Sequence, residues 1–346
     1  MALNRSGCDA EQALLIRAFA RLGFLLENGF EVLGVHAVAP DLLAGAGRMG
    51  AVALTEANRA DAKLGFAVRR ALAGVDAGQA VAVAGGKVLA IEGAEGTDAM
   101  LQRVAALPCQ GALGATAGVL AKGPKPGQEL RVDMPAIGPH TIAQAAAAGL
   151  AGVAVETGAV LIVERAEAIR IADLHNCAIE GLAQLAPAGP PRSLMGELMG
   201  ELSGRVIGRR RPNRHDAADI ATGLAAVARL ATFTTGRSVV VVRRYVRAIE
   251  AAEGTAAMLE RAATLRRQWG LRWRKAGALV RRAEVGDDRK ALAGLLPRVA
   301  AQELAGIAVT GPAQALGAYE DAGRLADDLG LFVVLCEGRE REGEGD

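Results

Sequence analysis

The chain has 346 residues, of which 51% are hydrophobic and only 3% aromatic, with a formal net charge of +2. This length allows two or three ordinary domains, whose cores must be Ala, Val and Leu. So small a charge gives no bulk argument for nucleic acid, and four scattered cysteines (Cys8, Cys109, Cys177, Cys336) without CxxC spacing argue against a zinc site or disulfide framework.

The first residues, MALNRSGCDAEQ, lack an apolar core of the signal-peptide kind, and no apolar stretch reaches the ~18 residues a membrane helix needs. A soluble protein with reduced cysteines, hence cytoplasmic, is expected. Peripheral membrane contact is left open.

In chain order the pattern predicts a helix at 10–27, a strand at 30–37 (FEVLGVHA), and a helix near 58–73. Strands at 79–84 and 87–92 follow, then a helix at 97–106 and a strand at 117–121. Beyond the loop KGPKPGQELRVDMPAIG come a helix at 140–148, strands at 152–156 and 159–163, and a helix at 165–174. Strands alternating with helices predict α/β layering.

The chain also repeats itself. IEGAEGTDAMLQR (91–103) and IEAAEGTAAMLER (249–261) agree at ten of thirteen positions, at an offset of 158. The same offset pairs Gly50 with Gly208, Asp61 with Asp219, Gly65 with Gly223 and Gly78 with Gly236. LAGVAV at 150–155 pairs with LAGIAV at 304–309 at an offset of 154. The fold class expected is therefore α/β, two tandem repeats of one mixed-sheet unit packed as a pseudo-dimer. Copy one spans 1–182, a Pro- and Gly-rich linker 183–193, copy two 194–337, and a charged, disordered tail 338–346. Copy two lacks a counterpart of the first helix and strand.

Two segments carry polar residues suited to chemistry. In IEGAEGTDAM (91–100) a strand ends in Glu92 and a Gly-containing turn enters a helix at Thr97. Backbone N–H groups at a helix start favour an anion, and Thr97 or Asp98 could cap it. Glu92, Glu95 and Asp98 are hard oxygen donors that suit Mg²⁺. A plain helix cap with solvated acids fits the same residues. In KGPKPGQELRVDMPAIGPHT (122–141), Lys122, Lys125 and Arg131 could cradle a diphosphate, and Asp133 could bind a metal or orient water. A solvated connecting loop is the plainer alternative.

Other signals are weaker. Gly45, Gly47 and Gly50 spell G-x-G-x-x-G, but no clean helix opens after them. RRQWGLRWRK (266–275) mixes basic residues with both tryptophans, which suits an anionic surface or a helix end with rings packed inward. His36, His140, His175 and His215 have no metal-ligand spacing.

The segments IEGAEGTDAMLQR, LAKGPKPGQELRVDMPAIGPHTI and AGLAGVAVETGAVLIV together resemble the C-terminal, catalytic domain of the LpxI-type UDP-2,3-diacylglucosamine pyrophosphatases. The resemblance covers most of copy one. It implies metal-dependent hydrolysis, usually with Mg²⁺, of UDP-2,3-diacylglucosamine to UMP and lipid X. The family's essential aspartate lies in RVDxPxIG, here Asp133. The substrate-binding set expected from it is Glu92, Gly96, Thr97, Lys122, Lys125, Gln128 and Arg131, with Asp133, Glu95 and Asp98 toward metal. A glycolipid substrate, peripheral inner-membrane contact and homo-oligomerisation are compatible with it, and nucleic acid is not expected.

The departures are also clear. No counterpart of the family's Rossmann-like N-terminal domain is expected in this sequence. Copy two has Ala256 opposite Asp98 and has lost the KPGQ and RVDMPAIG patterns, although Asp287 falls opposite Asp133. Copy two is expected to be a degenerate partner. A non-catalytic paralogue that binds a lipid A precursor, or acts as a scaffold, is the alternative.

Overall fold

The structure is a computed structural model describing residues 23–24, 27–75, 77–107, 117–126, 128–183, 204–268, 275–287 and 289–337. Copy one contains β1 (Gly47–Met49), α1 (Glu56–Ala71), β2 (Ala80–Ala84), β3 (Lys87–Ile91), α2 (Gly96–Ala105), β4 (Val119–Lys122) and β5 (Ala136–Ile137). It continues with α3 (Pro139–Ala147), β6 (Gly152–Glu156), β7 (Leu161–Ile162), α4 (Arg165–Leu174) and β8 (Ala178–Leu182). Copy two contains β9 (Gly204–Ile207), α5 (Arg214–Leu230), β10 (Ser238–Val242), β11 (Tyr245–Ile249) and α6 (Gly254–Gln268). After these come β12 (Ala278–Arg282), α7 (Arg289–Ala301), β13 (Gly306–Gly311), α8 (Gly323–Leu329) and β14 (Phe332–Glu337).

Each copy forms a six-stranded mixed sheet with the same strand order: β1-β8-β6-β4-β2-β3 in the first, β9-β14-β13-β12-β10-β11 in the second. The central strands β4, β6 and β8 are parallel, as are β12, β13 and β14; the flanking strands are antiparallel. The expected pair of α/β units is therefore present.

Alternation along each strand sorts side chains between two cores. In β2, Ala80, Ala82 and Ala84 face a core with α2 to α4, while Val81 and Val83 face the other copy. That inner core joins Val68 and Leu72 of α1, Ile220, Leu224 and Val227 of α5, and valines of both sheets. Each buried Val, Leu or Ile contributes about 1.5–3 kcal/mol relative to exposure, so this shared core binds the copies into one unit. Helix α1 lies close on its sheet because Gly65 has no side chain; a Cβ there would come within 2.6 Å of the Ala121 Cβ. Gly223 does the same in α5 against Val280.

The sheets meet at their edge strands with two-fold symmetry. Ala94 N donates to Arg247 O at 3.3 Å, and Ala252 N donates to Leu89 O at 3.2 Å. Strands β3 and β11 thus run antiparallel. Since β3 is parallel to β4 and β11 to β12, the parallel strands of the two sheets point in opposite senses. The carboxyl ends of β4, β6 and β8 therefore share one side of the molecule with the amino ends of β12, β13 and β14.

One expectation needs correction. The segment 30–37 is not a strand: it holds one short helix, Val35–Val38, and Phe30, Leu33 and Val35 stay exposed. The place beside β8 is taken by β1. The glycines at 45–50 build that edge strand and its turns, with Gly47 and Gly50 at φ 82° and 101°. Helix α1 starts later, at a Thr55–Asn58 capping box, so the G-x-G-x-x-G pattern has no helix to place over a phosphate. Strand β8 was not foreseen. Most of the helix expected at 10–27, nearly all of the linker, both tryptophans and the tail lie outside the described residues.

Candidate functional site

The parallel strands of copy one end at Lys122 and Glu156, and the polar residues singled out above gather at that carboxyl end. This is where open α/β sheets bind ligands. On the outer face, Lys122 Nζ donates to Thr97 Oγ1 at 2.8 Å, and Thr97 Oγ1 donates to Glu92 Oε1 at 3.0 Å. All three are buried, and Glu92 Oε2 has no hydrogen-bond partner among the described residues. Burial pushes the Glu92 carboxyl up, opposed by Lys122 and Lys125, and pushes the Lys122 ammonium down, opposed by Glu92 and Asp98. The chain Glu92–Thr97–Lys122 sits at the start of α2, where Gly96 takes φ 81° and the helix N–H groups begin.

The loop after β4 is knotted around Gln128. Its Oε1 accepts from Lys125 N at 2.7 Å and from Gln79 Nε2 at 3.2 Å. Its Nε2 donates to the Asp133 backbone oxygen at 3.1 Å and to Asp133 Oδ2 at 2.5 Å. One amide thus fixes Lys125 and Asp133 together. The loop is anchored from beneath by Arg69 of α1, which donates to Pro124 O and to the Glu156 carboxylate. The pair is buried; burial raises the Glu156 pKa and lowers that of Arg69, each opposed by its partner. Arg69, Glu156 and Gln79 escaped the sequence reading. A charged residue closing the apolar run GVAVE was the available signal, because a buried charge needs a partner.

Two expected site residues are engaged elsewhere. Glu95 faces copy two: it accepts from Arg103 at 2.5 Å and from Arg261 at 3.1 Å, with only 3% of its side chain exposed. Arg131 forms a fork with Glu129, at 2.9 and 2.7 Å, which holds the Glu129 carboxyl down at about 2. Asp98 is half-exposed, 3.5 Å from His140. Among the described residues no three His, Cys, Asp or Glu side chains converge as a metal cage. Glu95 is therefore removed from the metal-ligand set. Mg²⁺ does not need such a cage, since it is often held by one or two carboxylates, waters and substrate phosphates. Asp133 and Asp98 are carboxylates of the kind such an ion takes.

Copy two has closed the same place. Ser238, which pairs with Arg281, corresponds to Ala80, which pairs with Lys122; Arg281 thus stands where copy one has Lys122. Arg281 bonds Thr255 Oγ1 at 2.9 Å, Ser238 Oγ at 3.1 Å and the Tyr319 hydroxyl at 3.2 Å. Asp287 is taken by Arg237 at 2.7 Å and by the Tyr319 hydroxyl at 2.9 Å. The larger guanidinium thus ties Thr255, Ser238 and Tyr319 together, and Tyr319 carries the link on to Asp287.

The duplicated architecture has a counterpart in known proteins. The model of the LpxI C-terminal domain matches twice, over residues 45–180 and 203–334. The chain belongs to that family. It is also similar to UDP-2,3-diacylglucosamine pyrophosphatase LpxI of Caulobacter vibrioides, 46% identical over 171 residues, or 49% of this chain. The matched stretch covers 59% of that protein's length. No described helix is long and apolar enough to cross a membrane.

Proposed function

We propose that copy one hydrolyses the diphosphate of UDP-2,3-diacylglucosamine to UMP and 2,3-diacylglucosamine 1-phosphate (lipid X), with copy two as its structural partner. The observation that supports this most is the Gln128 knot, which holds Asp133 and Lys125 together beside the buried Lys122 at the start of α2. Copy two lacks this arrangement, and a relative of copy-like sequence carries the matching name.

The diphosphate would lie across the α2 N-terminus, against the N–H groups following Gly96, with Lys122 and Lys125 offsetting its charge. Asp133, its carboxylate oriented by Gln128, would accept a hydrogen bond from the attacking water. Water adds to one phosphorus as the bridging P–O bond breaks, and the water proton leaves toward a nearby base. The lowered proton affinity of Lys122 suits it to support the departing phosphate by hydrogen bonding. Arg131 would have to exchange Glu129 for a phosphate oxygen to take part. A divalent cation held by Asp133, with Asp98 nearby, would neutralise phosphate charge when bound.

The test is release of UMP from UDP-2,3-diacylglucosamine by the full chain, with and without Mg²⁺. Metal-dependent release of UMP and lipid X in equal amounts supports the reading. A folded chain that binds the glycolipid without releasing UMP would replace hydrolysis with the non-catalytic alternative.

A further inference from the structure

Copy one is an internal control for copy two, because shared contacts fix which positions correspond. Ala51 N donates to Asp173 Oδ1 at 2.7 Å, as Arg209 N does to Asp327 Oδ1 at 2.6 Å. Thr55 caps α1 as Asn213 caps α5. The N–H groups of Gly85 and Gly86 bind the Asp61 carboxylate, as those of Arg243 and Arg244 bind Asp219. At these matched places copy one has Ala51, Val52, Ala53, Glu56, Gly85 and Gly86. Copy two has Arg209, Arg210, Arg211, Arg214, Arg243 and Arg244.

The six arginines lie along one end of the second sheet. Val241 pairs with Ala278, so the turn carrying Arg243 and Arg244 lies at the amino end of β12. Ile207 pairs with Val333, so Arg209 to Arg211 follow at the amino end of β14, and Arg214 opens α5 beside them. Lys275 joins the group, its Nζ donating to Leu329 O at 2.6 Å. Arg209, Arg211, Arg214, Arg243 and Arg244 are exposed, Arg209 to 91% of its side chain. Asp216 and Asp219 are buried and bind backbone N–H groups, Asp327 takes Arg209, and Glu303 pairs with Arg266; Asp328 is exposed on the last turn of α8.

Two of the arginines stand against the backbone preference. Arg243 and Arg244 adopt φ 54° and 68°, the left-handed region that favours the glycines of copy one. Retaining a strained residue where a relaxed one fits points to a use for its side chain. The opposed strand senses then put this end of copy two on the same side of the molecule as the site of copy one.

We propose that the basic end of copy two docks on an anionic phospholipid surface, so that the site of copy one faces the bilayer. The docking rests on the arginine cluster alone; its use in presenting a diacylated substrate rests on the hydrolysis reading. Among the described residues nucleic acid fits less well, because strand binding calls for aromatic platforms, and Tyr245 beside this cluster lies under Arg247 at 5.1 Å.

The experiment is co-sedimentation of the full chain with vesicles of phosphatidylethanolamine and phosphatidylglycerol, against vesicles of phosphatidylcholine alone, at low and high salt. These vesicles contain no substrate, so binding is read without turnover. The variant is Arg211→Ala/Arg243→Gly/Arg244→Gly, which restores copy-one residues at all three places and relaxes the turn. The expected result is salt-sensitive binding to the anionic vesicles that the variant loses on the order of 100-fold, from three basic residues near a charged surface. Its turnover of detergent-dispersed substrate should match that of the native chain, so failure of docking and failure of hydrolysis are told apart. Equal binding to both vesicle types, undiminished binding by the variant, or preferential binding of a duplex or single-stranded oligonucleotide would each overturn the proposal.

Discussion

Glu95 and Arg261 belong to different copies, yet Arg261 Nη1 donates to both carboxylate oxygens of Glu95, at 3.2 and 3.1 Å. The reciprocal contact joins Arg103 to Glu253 at 3.4 Å. Each arginine also bonds the acid of its own copy and a backbone oxygen of its own sheet, Ile91 or Ile249. This four-residue cluster lies on the two-fold axis and steadies the turn that leads into Thr97. Arg261→Met leaves Glu95 buried with Arg103 alone, and should lower unfolding free energy by about 2 kcal/mol, as loss of a charged hydrogen bond does. Urea denaturation measures it. In Glu95→Gln/Arg261→Met the losses should be less than additive, because the two residues share one interaction.

The Lys122 site distinguishes size from charge. Lys122→Arg keeps the positive charge but installs the residue that copy two has as Arg281. Its guanidinium would take Thr97 and crowd the start of α2, so UMP release should fall at least 10-fold with the melting transition little changed. Release at the native rate would show that Lys122 does not bound the diphosphate site.

Gln128 acts through two residues at once. Gln128→Ala frees both the Asp133 carboxylate and the Lys125 N–H, and a loss of about 10- to 100-fold in turnover is expected, as for other groups that orient a site carboxylate. The loss should fall mainly on kcat if orientation is what Gln128 supplies.

Stability should depend on pH through Asp219. Burial pushes its carboxyl from 3.8 up to about 6 in the folded chain. The folded state then holds the proton more tightly than the unfolded one, so stability falls as pH rises. The contribution is full below pH about 4 and gone above about 6. Asp219→Asn should flatten this window in urea titrations at several pH values, whereas an unchanged slope would assign it to another group.

The repeat was legible because IEGAEGTDAMLQR returns nearly intact, and the helices and strands around it followed from period and turn chemistry. The strand expected at 30–37 failed because Val and Leu there match a strand pattern but stay exposed, while the place beside β8 goes to β1. Lys122, Thr97 and Asp133 could be picked out as polar residues in a turn and a loop. The place of Glu95 could not, since its partner Arg261 lies in the other copy and only the packing of two sheets brings them together. Arg69 and Glu156 were hidden for the same reason: they sit 87 residues apart and meet only beneath the loop.

The central claim is that one copy holds the site and the other has closed it, and paired aspartate variants test it most directly. UMP release from UDP-2,3-diacylglucosamine would be measured for the native chain, Asp133→Ala and Asp287→Ala, each checked for folding. The account predicts that Asp133→Ala removes release while Asp287→Ala, whose carboxylate is held by Arg237 and Tyr319, retains it. Release that survives Asp133→Ala, or that is lost only with Asp287→Ala, would contradict it.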